Sequence, residues 1–243
     1  MSDSLIQELE DAERDERLKK FWDENGGYIL MGCLLAILMT AFISGWRSWN
    51  DKVNAESTAG IMAAMDTGNV AERLSSVAGQ VRPGARFVAH ITAAGKFAEA
   101  GEYEKALAEY NAVEADTELA DGFRDLARVQ AVRVQIILAA DELKNGGTTE
   151  IVPESLTARL ETVWGNPNSP WRFHARYYAA LAEATLNKNY SAARSHLAPV
   201  LAQDNPLSTL KERAASLDHV YKLEAARNTP VDQEIVVPED AKG

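Results

Sequence analysis

A chain of 243 residues with a net charge of -11 and a single cysteine, Cys33, excludes several classes at once. Nucleic acid calls for clustered Lys and Arg, which so acidic a chain does not offer, so no nucleic-acid partner is expected. One thiol cannot build a cystine framework, and 46% hydrophobic with 7% aromatic residues fits an ordinary helical globular chain.

Residues 4–24 predict a short surface helix. Ser4 and Gln7 fit a capping box. Glu10/Arg14, Glu13/Arg17, Asp15/Lys19 and Glu16/Lys20 each place the acid four residues before the base, which supports an exposed helix by a few tenths of a kcal/mol per pair. A solvated arm and a docking arm both fit this pattern.

The run from Gly26 to Trp46, GGYILMGCLLAILMTAFISGW, holds no charged residue, histidine or proline. About 20 helical residues span ~30 Å, the thickness of a bilayer's hydrocarbon layer, so the run predicts one transmembrane helix and contact with membrane lipid. Trp46, Arg47, Trp49 and Lys52 follow it where a cleaved signal would have small residues, which favours a retained anchor. Arg14, Arg17, Lys19 and Lys20 precede the span and only Arg47 and Lys52 follow closely, so the N-terminus is expected in the cytoplasm and the C-terminal domain across the membrane. Trp22 and Tyr28 at one end, with Trp46 and Trp49 at the other, are the expected interface anchors. Gly32, Ala36, Thr40 and Ser44 recur every fourth residue, a small-residue stripe on which another membrane helix could pack.

Beyond the span, residues 47–82 read as a helical stalk, broken at Thr67-Gly68-Asn69 and closed by Arg82-Pro83-Gly84. Residues 83–228 read as a helical repeat domain. In 85–116, Ala94, Phe97, Gly101, Tyr103, Ala106 and Tyr110 fall at tetratricopeptide spacing. Alanines let two antiparallel helices cross closely, Phe97 and Tyr110 fill the sides, and Gly101 permits the turn over Tyr103. A long amphipathic helix is expected from Leu119 to Lys144, with Leu126, Val129, Val132, Ile136 and Leu143 on one face. Another is expected from Pro153 to Trp164. A weaker hairpin follows at Ala182, Tyr190, Ala193 and Leu197, then a charged last helix over 207–227, and a polar tail from 229 to 243 with Pro230 and Pro238 that is expected to be disordered. Glu234 to Val237 is too short and isolated to count as a strand. The fold class is therefore all-α: a single transmembrane helix followed by a tetratricopeptide-like α-solenoid. Val88, Ile91, Ala98 and Glu99 are the helix positions expected to line a protein-binding groove.

No phosphate loop, HExxH helix, nucleophile elbow or cysteine pair occurs. His90, His174, His196 and His219 lie far apart in sequence and read as helix-face residues, and Trp164 and Trp171 read as core packing around a proline loop. Catalysis, a cofactor and a small-molecule substrate are not expected.

RLKKFWDENGGYILMG followed by GWRSWND resembles the start of the YfgM family, with matches at Arg17 to Trp22, Glu24 to Gly26 and Gly45 to Asn50. The likeness continues through the Gly101–Tyr110 hairpin and LNKNYSAARSHL to the final helix. The chain departs from the family in its longer acidic arm, in its 140–170 region and in its tail. The resemblance implies a single-pass bacterial inner-membrane protein with a periplasmic tetratricopeptide-like domain. It further implies an ancillary role at a SecYEG-type translocon, beside a membrane-anchored periplasmic chaperone of the peptidyl-prolyl isomerase type.

Overall fold

The structure, a computed structural model, describes residues 38–66, 68–203 and 208–228. The expected arm (1–25), Trp22, Tyr28, Gly32, Ala36 and the tail from 229 lie outside the described residues. Every regular element among the described residues is a helix, so the fold is all-α. Nine helices are described: α1 (38–65), α2 (Val70–Ala78), α3 (Pro83–Glu99), α4 (Tyr103–Ala115), α5 (Asp121–Lys144), α6 (Pro153–Trp164), α7 (Arg172–Leu186), α8 (Tyr190–Leu201) and α9 (Ser208–Asn228).

The chain divides into two compact units, one ending at Glu56 and the other beginning at Ser57. In the first, residues 38–56 are helical and expose Leu38, Met39, Phe42, Trp46 and Trp49. Phe42, Trp46 and Trp49 form a ladder with ring centroids 6.4 and 5.7 Å apart. Thr40 and Ser44, also exposed, lie on the opposite side of the helix by the 3.6-residue period. No helix among the described residues is long and apolar enough to cross a membrane; of the expected span only 38–46 falls among them.

The second unit begins earlier than the expected boundary at residue 83. Ile61 and Ala64 share one buried cluster with Leu74, Ala78, Ala89, Ala93, Ala94, Phe97, Ala106 and Tyr110. Residues 57–82 are therefore part of the packed domain and not stalk: the apolar stripes of 61–64 and α2 have α3 to bury against. Alanine dominates these contacts because a methyl side chain lets helix axes approach to ~8 Å.

Local signals set the helix ends. Pro83 and Pro153 open α3 and α6, where the missing amide is no loss. Gly101, at φ 79°, closes α3: the Glu102 amide donates to the Phe97 carbonyl at 2.9 Å and the Gly101 amide to Ala98 at 3.1 Å. Asn189 caps α8 by accepting from the Ala192 amide.

Helix α5 is buried along two stripes. Ala127, Ala131 and Val134 pack toward α3 and α4, in clusters with Val113 and Tyr110. Val129, Val132 and Ile136 pack into a second cluster with Leu156, Leu160 and Val163 of α6 and Ala175, Ala179 and Ala182 of α7. The expected single face held at Val129, Val132 and Ile136, but Leu126 is only half-buried and Leu143 is exposed. A third cluster joins Ala180 and Ala184 to Ala193, Leu197 and Val200 of α8 and Leu210, Ala214 and Tyr221 of α9.

These clusters expose a repetition. Arg86-Phe87-x-Ala89-x-x-x-Ala93-Ala94 recurs as Arg172-Phe173-x-Ala175-x-x-x-Ala179-Ala180. Ala106, Tyr110 and Val113 of α4 have buried counterparts in Ala193, Leu197 and Val200 of α8. The turn position of Gly101 is taken by Lys188, also left-handed at φ 54°. The residue facing the second helix of the hairpin is accordingly Ala180; Ala182, expected there, points into the α5–α6 cluster.

Candidate protein-binding surface

The residues expected to build the first hairpin come together. Ala94 and Ala106 are fully buried, Phe97 and Tyr110 nearly so, and Tyr103 is half-buried against the same cluster. The four groove positions do not share one environment. Ile91 and Ala98 are half-buried and pack against the core, because the stripe Phe87–Ile91–Ala94–Ala98 is the one α3 turns toward α4. Val88 and Glu99 stay exposed, and Glu99 pairs with Lys96 at 2.7 Å. The open apolar surface lies nearer the start of α3: Val88 and Phe123 are each more than two-fifths exposed, and Phe123 stacks on Phe87 at 4.2 Å.

Three carboxylates tie the hairpins together, and sequence spacing did not single them out. Glu109 of α4 is buried, accepts the Ser75 hydroxyl of α2 on Oε1 and meets His90 Nδ1 of α3 on Oε2, each at 2.6 Å. Burial pushes its carboxyl up, but the hydrogen bonds from His90 and Ser75, with the imidazole's charge, hold it below the ordinary value. Ser75 and His90 thus occupy opposite oxygens of one acid; this is a clamp across three helices, not the serine–histidine relay of a nucleophile. Glu114 of α4 takes Arg128 Nε of α5 at 2.8 Å and an amino group of Arg159 of α6. Arg159 also donates to Asn111 and Gln135, and Arg128 to Thr162. Asp125 of α5 is buried and accepts from Ser169 at 2.7 Å, while Trp171 Nε1 donates to the Gly122 carbonyl at 2.8 Å. A signal for Glu109 existed: it lies on the Ala106–Tyr110–Val113 stripe, where an acid without a partner would be costly.

Trp164 and Trp171 pack half-buried against the α5–α7 cluster, with the Arg176 guanidinium 5.4 Å from the Trp164 ring centroid and His196 beside it. Burial lowers the pKa of His196 and of His174, whose Nδ1 is buried with no hydrogen-bond partner. Among the described residues no group of three or more His, Cys, Asp or Glu is placed to hold a metal ion. The arrangement offers helix surfaces and structural ion pairs. Comparison with family models, curated proteins and solved structures finds no match to this chain.

Proposed function

We propose that this chain is a non-enzymatic, membrane-anchored scaffold of a Sec-type translocon that links emerging envelope proteins to periplasmic chaperones. The observation that carries this reading is the pair of hairpins, α3–α4 and α7–α8, with buried positions in common. Hairpins that repeat one packing pattern stack as a tetratricopeptide-like solenoid, and such stacks present extended surfaces to protein segments. The uncharged run ahead of them, whose described end carries the exposed Phe42–Trp46–Trp49 ladder, supplies the anchor in the inner membrane. The small-residue side, with Gly32, Ala36, Thr40 and Ser44, is the one to face a channel helix.

Copurification after mild detergent extraction tests the reading. Channel subunits and a membrane-anchored isomerase-type chaperone should be recovered, and Gly32→Leu with Ala36→Leu should reduce that recovery. Proximity crosslinking in cells from positions 46 and 99 should reach the channel and clients respectively. No channel subunit in either experiment would overturn it. A membrane-tethered regulator that sequesters a signalling protein is the second reading, favoured by the charged pairs of residues 4–24. It would be recognised by a phenotype lost on deleting residues 1–18 while copurification persists.

A further inference from the structure

The stripe of α5 that receives α6 and α7 consists of Asp125, Val129, Val132, Ile136 and Ala139, all buried. Aligned on the repetition, the same stripe of α9 is Glu212, Ser216, His219, Leu223 and Ala226, and every one is exposed. The opposite stripe matches instead: Ala127 and Val134 of α5 and Ala214 and Tyr221 of α9 are all buried. Helix α9 therefore keeps the inward face of α5 and leaves the outward one bare, with Leu223 55% and the flanking Val220 49% exposed.

The chain that follows each helix supplies the missing half. After α5 comes Glu150-Ile151-Val152-Pro153-Glu154, in which Ile151 packs against the α5–α7 cluster and Pro153 opens α6. After α9 comes Glu234-Ile235-Val236-Val237-Pro238-Glu239, the same residues with one valine added. Glu150 stands six residues beyond Lys144, and Glu234 six beyond Asn228. One short sequence thus recurs six residues beyond two equivalent helices, three residues earlier on the repeat alignment after α9 because that helix ends at Asn228.

We propose that residues 234–239 dock on the outward stripe of α9, with Ile235 against Leu223 and Val220, as Ile151 sits against the cluster beside α5. The reach is ample: the link from Asn228 to Ile235 extends up to ~23 Å, whereas Leu223 lies ~7.5 Å back along the helix. Charge complements it. Asp232, Glu234, Glu239 and Asp240 surround the apolar residues of the segment, and Arg213 and Arg227 flank Val220 seven residues to either side, on the same face, Arg227 also pairing with Glu224 at 2.9 Å.

The test uses the full chain purified in detergent. In a Cys33→Ser background, Leu223→Cys combined with Ile235→Cys should form a disulfide within one chain under mild oxidation, identified by peptide mapping. A link between two chains, or no link, overturns the proposal. Hydrogen exchange provides the second measurement. Removing residues 229–243, or substituting Ile235→Asp, should speed exchange over the last three turns of α9 by about tenfold, the loss expected when one aliphatic side chain's burial is removed. Unchanged exchange in both variants also overturns it. Leu223 is exposed, so neither result depends on a variant that disrupts the core.

Discussion

Replacing Glu114 by alanine removes the carboxylate that joins α4 to α5 and α6, and leaves Arg128 and Arg159 without their shared counterion. Severing a buried pair costs ~3–5 kcal/mol, because the remaining charge stays desolvated. These side chains keep 20, 21 and 25% of their exposure, so water recovers part of that, and about 2 kcal/mol is the expected loss. At ~2–4 °C per kcal/mol for a domain of this size, Tm should fall by roughly 4–8 °C. Glu114→Gln keeps an acceptor without the charge and should lose about half as much. Circular dichroism at a helix wavelength across a thermal ramp reads both. The pH dependence adds a signed check. Burial raises the Glu114 carboxyl, but hydrogen bonds from Arg159 and Arg128 outweigh it and hold the group below its ordinary 4.5. Its contribution is full above that value and is lost as pH falls through the depressed one, so wild type and Glu114→Gln should converge between pH 7 and pH 3. An unchanged Tm for Glu114→Ala, or a gap that widens on acidification, refutes the account of Glu114 as the tie between these helices.

Leu160→Ala, at a fully buried site between α5 and α7, should cost ~2–5 kcal/mol in denaturant unfolding. Lys188→Gly should stabilise by ~1 kcal/mol, since Lys188 holds a left-handed φ that glycine adopts freely, and Gly101→Ala at the equivalent turn should destabilise by a similar amount; a shift of the same sign in both would refute the shared-turn reading. Buried His174 is held neutral, so the stability it contributes is whole above its unfolded value of 6.5 and falls as pH drops below it. His174→Leu should therefore lose less stability than wild type between pH 7.5 and 5.5, the residual slope being partly that of His196, which burial shifts the same way.

The helices were legible because their boundaries are written in residues with single meanings. Pro153 and Trp164 bound α6 as expected, and Gly101 turns where its spacing from Ala94 and Ala106 required. The second hairpin was misregistered because alanine is common throughout α7: Ala179, Ala180, Ala182 and Ala184 are all buried, and only the packing shows that Ala180 and Ala184 face α8. The groove was misplaced for a related reason. Val88, Ile91, Ala98 and Glu99 lie within one helical arc, but the edge carrying Ile91 and Ala98 is half-buried against the core while Val88 and Glu99 stay exposed, a division that spacing alone does not reveal. The buried carboxylates escaped because Glu and Asp are abundant on solvated helices, and the partners of Glu109 and Glu114 lie 14 to 45 residues away. The repetition was hidden by the one-residue difference between its helix and turn offsets, which blurs any fixed period.

A helix apolar on two opposite sides has a consequence for how the chain matures. While it emerges from N to C, α3 and α4 gain their last wall only when α5 arrives, and α5 then shows Val129, Val132 and Ile136 to water until α6 and α7 follow. A chain halted or trimmed between 145 and 171 would hold that sticky ridge open indefinitely, inviting self-association. Fragments cut there would report on clumping, and whole-length variants are the sound way to dissect this molecule.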